Sequence, residues 1–516
     1  MTIMMRNLAG AAVALALGGC TVGPDYAAPT WASPASWFTS PRPEARRPLS
    51  YAVAEPIDPS WWELFGDPQL TALERRVATE NLDVKTAATR FEQSRQQLAN
   101  ARASQLPTLN ANGSFERQKP SNNGIFAASP SSTDANGAFG NTTGGVRGTN
   151  IPAFDVYQYG FDASWEVDFW GRVRRAVEAA TASSDASQEA QRATLLASLA
   201  EVARDYIQLR GTQTQLQIAR DNLRTAEQSL HLTQQRQAGG VTTDLDVANA
   251  SAQLRTTAAQ IPTLQQQEAT LINALSLLLG QGPQALRADL GPPQPVPPVP
   301  ARVPVGLPSE LARRRPDIRQ AEAELHAATA DIGVAQASFY PSVTLSGSVG
   351  IQALQLRHAF DLNSRQFGLG PGITIPIFEG GQLRAQLQLR EAQQQEAALN
   401  YQKTVLQAWH DVDNAMTAYQ AEQARREQLT QAVADNRRAL SLAQNRYQQG
   451  VTDFLQVLDA QRSLLATQQQ LADSTTTVSA NLVALYKALG GGWEPDMPLP
   501  TSGDQRRAKV DASREG

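Results

Sequence analysis

Few residues of this sequence have the types and spacing that covalent or metal chemistry requires. The single cysteine, Cys20, can form neither an internal disulfide nor a cysteine-cluster metal site. The four histidines lie far apart, and only the fold could gather them: His231, His326, His358 and His410. The sequence contains no GxxxxGK(S/T), HExxH or GxSxG motif, the patterns of phosphate-binding loops, zinc peptidases and serine hydrolases. We therefore expect no catalytic site, no metal site and no dissociable cofactor, and a protein that is not an enzyme.

Cys20 closes an N-terminal segment with the pattern of a lipoprotein signal. Arg6 precedes an apolar run of about ten residues that ends at Leu17, too short to span a bilayer. Leu17-Gly18-Gly19-Cys20 then resembles the bacterial lipobox, where the thiol receives a diacylglycerol and the new N-terminus an acyl chain. Such chains would hold the protein on a membrane, since each buried methylene contributes about 0.8 kcal/mol. Thr21, in place of aspartate, is typical of an outer-membrane destination.

Charge and composition exclude two further classes of protein. Lys and Arg total 45 against 49 Asp and Glu, a net charge of −4, so the chain lacks the basic surface that nucleic-acid binding needs. Beyond residue 20 no apolar run reaches the length of about 18 residues that a membrane-spanning helix requires. Alanine, glutamine, leucine and arginine are abundant, which favours long helices.

The chain contains two copies of one segment. The sequence around Gly240-Val241-Thr242 recurs around Gly450-Val451-Thr452, 210 residues later and without a gap. The segment that starts at Ala103 matches the one at Ala337, 234 residues later. Because this offset is larger than 210, the second copy must have a shorter loop between the two matched segments. We predict these parts of the chain: signal peptide 1–19, lipidated extended segment 20–66, first repeat 67–280, Pro-rich linker 281–306, second repeat 307–490 and C-terminal tail 491–516.

Each copy contains two segments in which apolar and polar residues alternate. This period of two predicts β-strands with one apolar and one polar face, over Thr108–Arg117, Tyr157–Phe169, Ser342–Gln352 and Phe367–Phe378. Strands of about ten residues with this pattern suit a membrane β-barrel, in which one face meets lipid and the other lines an aqueous lumen. A soluble sandwich alternates in the same way, but the predicted lipid anchor favours the membrane.

Two stretches predict helices of unusual length. Leucine or valine recurs every seven residues from Leu195 to Leu230, and a similar row runs from Val405 to Tyr447 with Arg426 as its interruption. Sustained heptads indicate helices wound on helices, and about 65 residues would span roughly 100 Å. Shorter helices are expected near residues 70–104 and 243–279.

Four strands are too few to close a membrane barrel, and open edges in lipid leave unpaired backbone groups. The smallest such barrels have about eight strands, so other copies of the chain must supply the rest. A dimer would give a filled lumen, whereas a trimer would give twelve strands and an open bore. Small residues on the polar face favour the homotrimer: Ser342, Ser346, Ser348, Gly368, Gly370 and Gly372.

Three motifs carry a family resemblance. Residues 21–29 read TVGPDYAAP, the second copy begins with LPSEL at 307–311 and RRRPDIR at 313–319, and Tyr340-Pro341 precedes the third strand. These motifs are similar to those of the NodT/OprM group of outer-membrane factor lipoproteins, relatives of TolC. The resemblance covers about residues 20–495. It implies a mainly α, internally duplicated TolC-like fold, whose four strands per chain complete a 12-stranded membrane β-barrel in the trimer, on a long periplasmic α-helical barrel.

The resemblance also implies a function, a location and partners. It implies the exit duct of a tripartite efflux system in the outer membrane, lipid-anchored in the bilayer and extending into the periplasm. Substrates would pass passively from an inner-membrane pump, usually of the RND type, and a periplasmic adaptor (membrane fusion protein). Two alternatives stay open: a lipid-anchored periplasmic coiled-coil scaffold, which would not need four alternating strands, and the outer-membrane component of a type I protein or peptide secretion system.

Glycines interrupt the helical pattern once in each copy. Gly239-Gly240 and Gly450 predict tight turns between a long and a shorter helix. Such a turn can require glycine for its positive φ alone, but the resemblance also implies that these turns are the periplasmic tip where adaptors bind. Since Val-Thr follows both glycines, we expect a contact surface formed by Gly240, Val241, Thr242, Gly450, Val451 and Thr452.

Aspartates follow both turns. Asp244 and Asp453 are explained as first-turn acids, which favour the helix dipole and cap the helix. Asp459 lies two turns into its helix and is explained poorly in this way. The resemblance implies that Asp246 and Asp459 help to form the pore constriction, where Gln456 stands in place of a further acid. We therefore expect a gate held by fewer ionic bonds than in related ducts.

Overall fold

The computed structural model describes residues 21–29, 50–119 and 152–493. The predicted signal peptide and the lipidation site Cys20 lie outside the described residues. The described chain forms two compact units, which we call the sheet unit and the helical unit. The sheet unit contains residues 21–26, 97–119, 152–180 and 328–393, and the helical unit contains residues 27–29, 50–96, 181–327 and 394–493.

The sheet unit is built around one antiparallel sheet. Its strands are β1 (Thr108–Gln118), β2 (Phe154–Val167), β3 (Ser342–Ala353) and β4 (Arg365–Thr374). They lie in the order β1-β2-β3-β4, so β1 and β4 form the two edges of the sheet. The register places Asp162 of β2 opposite Asn110 of β1 and Ser348 of β3.

The four predicted strands are present, with shifts at their ends. β2 begins at Phe154 rather than Tyr157. β4 ends at Thr374 and not at Phe378, because a proline at position 376 cannot donate a backbone hydrogen bond to a ladder. Pro371 lies inside β4, opposite Leu345, and within the described chain β4 is an edge strand, where a proline is tolerated.

The two faces of this sheet differ in chemistry. Alternate residues of a strand share a face, and the register aligns them across the sheet. The apolar face carries Leu109, Phe115, Phe161, Trp165, Leu345, Val349, Phe367, Leu369 and Ile373. Phe367 is 84% and Leu369 81% exposed, so the described chain leaves much of this face uncovered. The polar face carries Asn110, Asn112, Asp162, Ser346, Ser348, Gly368, Gly370 and Gly372.

Long helices account for most of the remaining structure. They are α1 (Pro68–Glu80), α2 (Leu82–Ala103), α3 (Arg172–Ala238), α4 (Asp244–Leu278), α5 (Pro316–Ala337), α6 (Gln382–Gln448) and α7 (Phe454–Leu489). α3 and α6 have 67 residues each, or roughly 100 Å at the rise of an α-helix, as the heptads predict. Among the described residues, no helix combines the length and apolar character needed to cross a membrane.

The helix expected near residues 70–104 is two helices, with a break at Asn81. Asn81 has an extended ψ of 132°, and its side-chain oxygen accepts the amides of Asp83 and Val84 at 2.8 and 2.9 Å. Its side-chain nitrogen donates to the carbonyl of Leu278 at 2.8 Å. Asn81 therefore caps α2 in the manner typical of asparagine, and it ties the start of α2 to the end of α4.

Heptad positions form the core of the helical unit. α6 buries residues at sevenfold spacing on one stripe: Val405, Val412, Tyr419, Val433, Leu440 and Tyr447. Arg426, the predicted interruption, is not buried. A second part of the core surrounds Trp61, which is fully buried and stacks on Tyr486 with ring centroids 5.5 Å apart. Two short strands, Tyr51–Val53 and Arg302–Pro304, pair in parallel in the same unit.

Glu74 of α1 is a buried carboxyl without a compensating partner. Its exposure is 0%, and neither carboxylate oxygen has a hydrogen-bond partner among the described residues. Burial raises the pKa of Glu74 well above its usual value. The folded chain therefore holds this carboxyl neutral up to a higher pH than the unfolded chain does. As the pH rises above the ordinary glutamate pKa, ionisation favours the unfolded state and stability is lost.

Replacing Glu74 by methionine should stabilise the helical unit in a pH-dependent way. At about pH 8 we expect the free energy of unfolding to rise by about 1–3 kcal/mol, the cost of an uncompensated buried polar group. At about pH 4 both states bind the proton, so the gain should be smaller. Thermal unfolding followed by circular dichroism measures both values. The exposed Glu63→Met is the matched control, and a gain for Glu74→Met that is equal at both pH values would contradict this assignment.

Candidate functional site

Both helix-to-helix turns have the same backbone conformation. Gly240 and Gly450 have φ values of 71° and 75°, in the left-handed region that favours glycine. The amide of the following residue, Val241 or Val451, donates to the carbonyl five residues earlier, at 2.8 and 3.0 Å. This bond satisfies a carbonyl at the end of the preceding long helix. The turns therefore require their glycines for backbone reasons, whatever else they contact.

Arg236, in the last turn of α3, joins the first turn to the second. Its Nη1 donates to the carbonyl oxygens of Tyr447 and Gln448 at 2.8 and 3.3 Å. Its guanidinium lies 4.5 Å from the centre of the Tyr447 ring, and that ring packs against Phe454 at 5.6 Å. A cation over an aromatic face is attracted by the ring quadrupole. The sequence pattern includes Tyr447 in a heptad row, but nothing in it pairs this residue with Arg236.

Four apolar side chains are exposed around the turns, and we call them the tip patch. Val241 is 64%, Leu245 68%, Val451 62% and Leu455 54% exposed. The duplication relates the first pair to the second, at the same separation of 210 residues. Exposed apolar residues at equivalent positions of both turns are typical of a surface that contacts another molecule. Leu245 and Leu455 are missing from the contact surface predicted above. Their position four residues after each valine, repeated in both copies, is the signal that would have found them.

The acids next to the turns bond to local side chains. The carboxylate of Asp246 accepts a hydrogen bond from the Thr242 hydroxyl, and that of Asp244 accepts one from the Gln237 side-chain amide. Asp244 lies in the first turn of α4 as expected, but the expectation that Asp244 and Asp453 cap their helices with side-chain bonds is wrong. Asp244 is the first residue of α4 and follows the N-cap residue Thr243. Asp453 occupies the N-cap of α7, but its side chain does not bond to a helix amide.

Asp459 and Gln456 differ from Asp244 and Asp246 in having no polar side-chain partner among the described residues. Both side chains are exposed on α7, and neither forms a hydrogen bond or ion pair there with another described residue. Asp246 forms no hydrogen bond or ion pair with either of them among the described residues, where its carboxylate accepts from Thr242. Within one copy, the three residues of the predicted constriction are therefore not joined by a polar contact. An acid that is exposed two turns inside a helix is free to face a neighbouring molecule.

Side chains that could ligate a metal ion are dispersed over the described residues. Among them, no group of three His, Cys, Asp or Glu side chains is arranged to hold a metal ion. The functional chemistry of this region consists of exposed apolar residues, hydroxyls and carboxylates at a helical tip.

Comparisons with known proteins agree with this architecture. The family described as outer membrane efflux protein matches residues 74–281 and 307–491. The chain is 36% identical over 477 residues to the pyoverdine export outer membrane protein OpmQ of Pseudomonas putida, covering 90% of this chain and 93% of that protein. It is 32% identical to the antibiotic efflux pump outer membrane protein ArpC of Pseudomonas putida, covering 95% and 96%.

The fold is also similar to that of solved channels. The outer-membrane channel OprN superposes with a TM-score of 0.82 at 33% sequence identity, covering 92% of this chain and all of that one. VceC of Vibrio cholerae superposes with a TM-score of 0.75 at 30% identity, covering 85% of this chain and all of that one. The long helices, the four-stranded sheet and the duplicated turns described above thus belong to a chain of the outer membrane efflux protein family.

Proposed function

We propose that this chain is the outer-membrane exit duct of a tripartite efflux system, with no catalysis of its own. It would pass on the substrates that an inner-membrane pump of the RND type and a periplasmic adaptor deliver. The observation that carries the proposal is the four-stranded sheet, which has one exposed apolar face, one polar face and two free edges. The names of the relatives ArpC, an antibiotic efflux pump outer membrane protein, and OpmQ, a pyoverdine export outer membrane protein, also support an exit duct.

The edges of the sheet support a homotrimer. Within the described chain, β1 and β4 each pair on one side only, and unpaired backbone groups in lipid cost several kcal/mol each. Pairing β4 of one copy with β1 of the next closes the sheet, and three copies supply twelve strands. Glycines at positions 368, 370 and 372 add no side chains to the polar face along β4, which would leave room for an open lumen. Acyl chains on Cys20 would hold each copy in the outer membrane.

The long helices support a duct that continues into the periplasm. α6 exposes leucines as well as burying a heptad stripe: Leu399 is 66% and Leu406 41% exposed, at a separation of one heptad. Exposed leucines at this spacing are typical of a helix that packs on a further helix. A neighbouring copy supplies that helix in the trimer, and the helices of three copies would enclose an α-helical barrel.

The tip patch supports docking of a periplasmic adaptor. Its four side chains belong to equivalent positions of the duplication, so a trimer would present six similar contacts around its axis. Thr242 and Thr452 add hydroxyls beside the valines, and Gly240 and Gly450 shape the turns that present them. Inward of this surface, we propose that Asp246, Asp459 and Gln456 line the constriction. Three copies would convert each inward acid into a ring that favours cations.

The duct proposal is tested by reconstitution of the purified, lipidated protein in planar bilayers. We expect trimers that resist heat in detergent and stepwise ion conductance. We also expect cells that lack the gene to accumulate amphiphilic compounds. A monomer without conductance, together with normal export of every compound in a broad panel, would overturn the proposal in favour of a scaffold.

Replacing Asp459 by alanine should change the gate. The removal of three carboxylates from a narrow opening should alter single-channel conductance and lower its cation preference at the tip. Conductance records of Asp459→Ala and of the wild-type protein measure this effect. Asp221→Ala, a change of an exposed acid on α3, is the control for loss of charge alone. Identical records for Asp459→Ala and wild type would remove Asp459 from the constriction.

A further inference from the structure

The polar face of the sheet carries acids but no base. In the four described strands, the charged residues of this face are Glu116, Asp162 and Glu166. Both arginines of these strands lie on the opposite face. Glu166 is neutralised from outside the sheet, because the Nε of Arg172 donates to its carboxylate at 2.9 Å. Glu116 and Asp162 have no ion pair among the described residues.

Asp162 lies in the middle of this face and is held there by two amides. The side-chain nitrogens of Asn110 and Asn112 each donate to one oxygen of its carboxylate, that of Asn110 at 3.2 Å. The residues that continue its row on β3 and β4 are Ser348 and Gly368, both small and neutral. The two amides thus fix the direction of the carboxylate, and only small neutral residues follow it across β3 and β4.

This arrangement acquires a function if the sheet lines a lumen, so the inference rests on the proposed function. Closure by three copies places three Asp162 carboxylates at one level of the barrel, with no cationic side chain on the same face of the described strands. We propose that Asp162 sets a cation preference inside the β-barrel, separate from the acids of the periplasmic tip. Cationic substrates would therefore pass this level more readily than anionic ones.

The physical basis is the attraction of each carboxylate for cations that pass close to it along the lumen wall. Charges interact over a Debye length of about 8 Å at physiological salt, and rings of carboxylates are used to select cations in membrane pores. A carboxylate that two amides hold in place pays little reorganisation cost as ions pass. Ser348 and Gly368 leave the lumen wide, so the ring should bias ion flow without blocking it.

The test is the reversal potential of reconstituted channels under a KCl gradient. We expect Asp162→Asn to lower the permeability ratio of K⁺ to Cl⁻ by about twofold or more, since it removes the whole ring. Asp162→Glu should retain the wild-type ratio. Asp155→Asn removes one carboxylate from the opposite face of the same strand and should leave the ratio unchanged.

A second variant keeps the test independent of the folding of Asp162→Asn. Ser348→Lys adds a cation to the same row from the neighbouring strand and should lower the ratio in the same direction. If Asp162→Asn forms channels of normal conductance with an unchanged ratio, the inference is overturned while the duct proposal stands. If Asp162→Asn does not assemble, an unchanged ratio in Ser348→Lys has the same meaning. Wild-type protein that forms no channel would instead overturn the duct proposal.

Discussion

Alanine in place of Arg315 should lower the free energy of unfolding of the helical unit by about 2–3 kcal/mol. Arg315 is buried, and its Nη2 lies 2.6 Å from Asp317 while its Nη1 lies 3.1 Å from Asp411 and 3.0 Å from the carbonyl oxygen of Ala488. Breaking a buried pair leaves its partners uncompensated. Both carboxylates are partly exposed, so water moderates the loss and the estimate stays below the cost of a fully buried pair.

The loss is measured as the fall in apparent unfolding temperature of the purified protein, with the yield of assembled protein beside it. Arg315→Lys keeps the charge but not the planar fork that meets Asp317 with two nitrogens, so we expect an intermediate loss. Arg75→Ala removes an exposed pair with Glu63 and should cost less than about 1 kcal/mol. Equal stability of Arg315→Ala and Arg75→Ala would show that the ion pairs of Arg315 contribute no more than one exposed pair.

Gly490, at the C-terminal end of α7, packs closely against Arg315 of the RRRPDIR motif at residues 313–319. A Cβ at Gly490 would lie 2.9 Å from Cγ and 3.1 Å from Cα of Arg315, and the φ of Gly490 is 75°. Three residues on, the Trp493 ring lies under the guanidinium groups of Arg192 and Arg319, at 4.9 and 5.2 Å. The arginine-rich motif thus holds the start of the second copy against the end of the described chain.

Double replacement of Val241 and Val451 by glutamate should abolish efflux while leaving the channel intact. Each valine that an adaptor buries contributes about 1.5 kcal/mol or more, and every 1.4 kcal/mol is about tenfold in affinity. A carboxylate at each position adds the cost of burying a charge. Because both side chains are more than half exposed in the folded chain, neither change should affect folding.

Intracellular accumulation of amphiphilic compounds, in cells that carry only the variant, measures the loss of efflux. Trimer formation and conductance in planar bilayers should equal those of the wild type, which separates docking from assembly. The paired Val241→Ile and Val451→Ile changes keep the apolar surface and should support normal efflux. Normal efflux by the glutamate variant would remove the tip patch from the adaptor contact.

Local patterns determined the elements and their order. Alternation with period two identified all four strands, because each strand has a different environment on each face. Heptads identified α3 and α6, and the glycines located both turns, because positive φ is a property of one residue. The sequence analysis missed the break at Asn81. Asparagine is a common helix N-cap, and here its side chain caps α2 and ends the continuous helix that the apolar pattern had predicted.

Only the tertiary structure decided which side chains meet. Arg236 bonds to a residue 211 positions away, Arg315 to one 96 away, and Asp162 to one 52 away. The periodicity of a helix or strand predicts which face a residue occupies. Its partner on that face depends on how two elements pack and in what register. The same register showed that the polar face of the four described strands carries acids but no arginine or lysine of those strands. The sequence by itself determined the strands, the long helices and the turns, whereas packing determined which charged side chains lie next to one another.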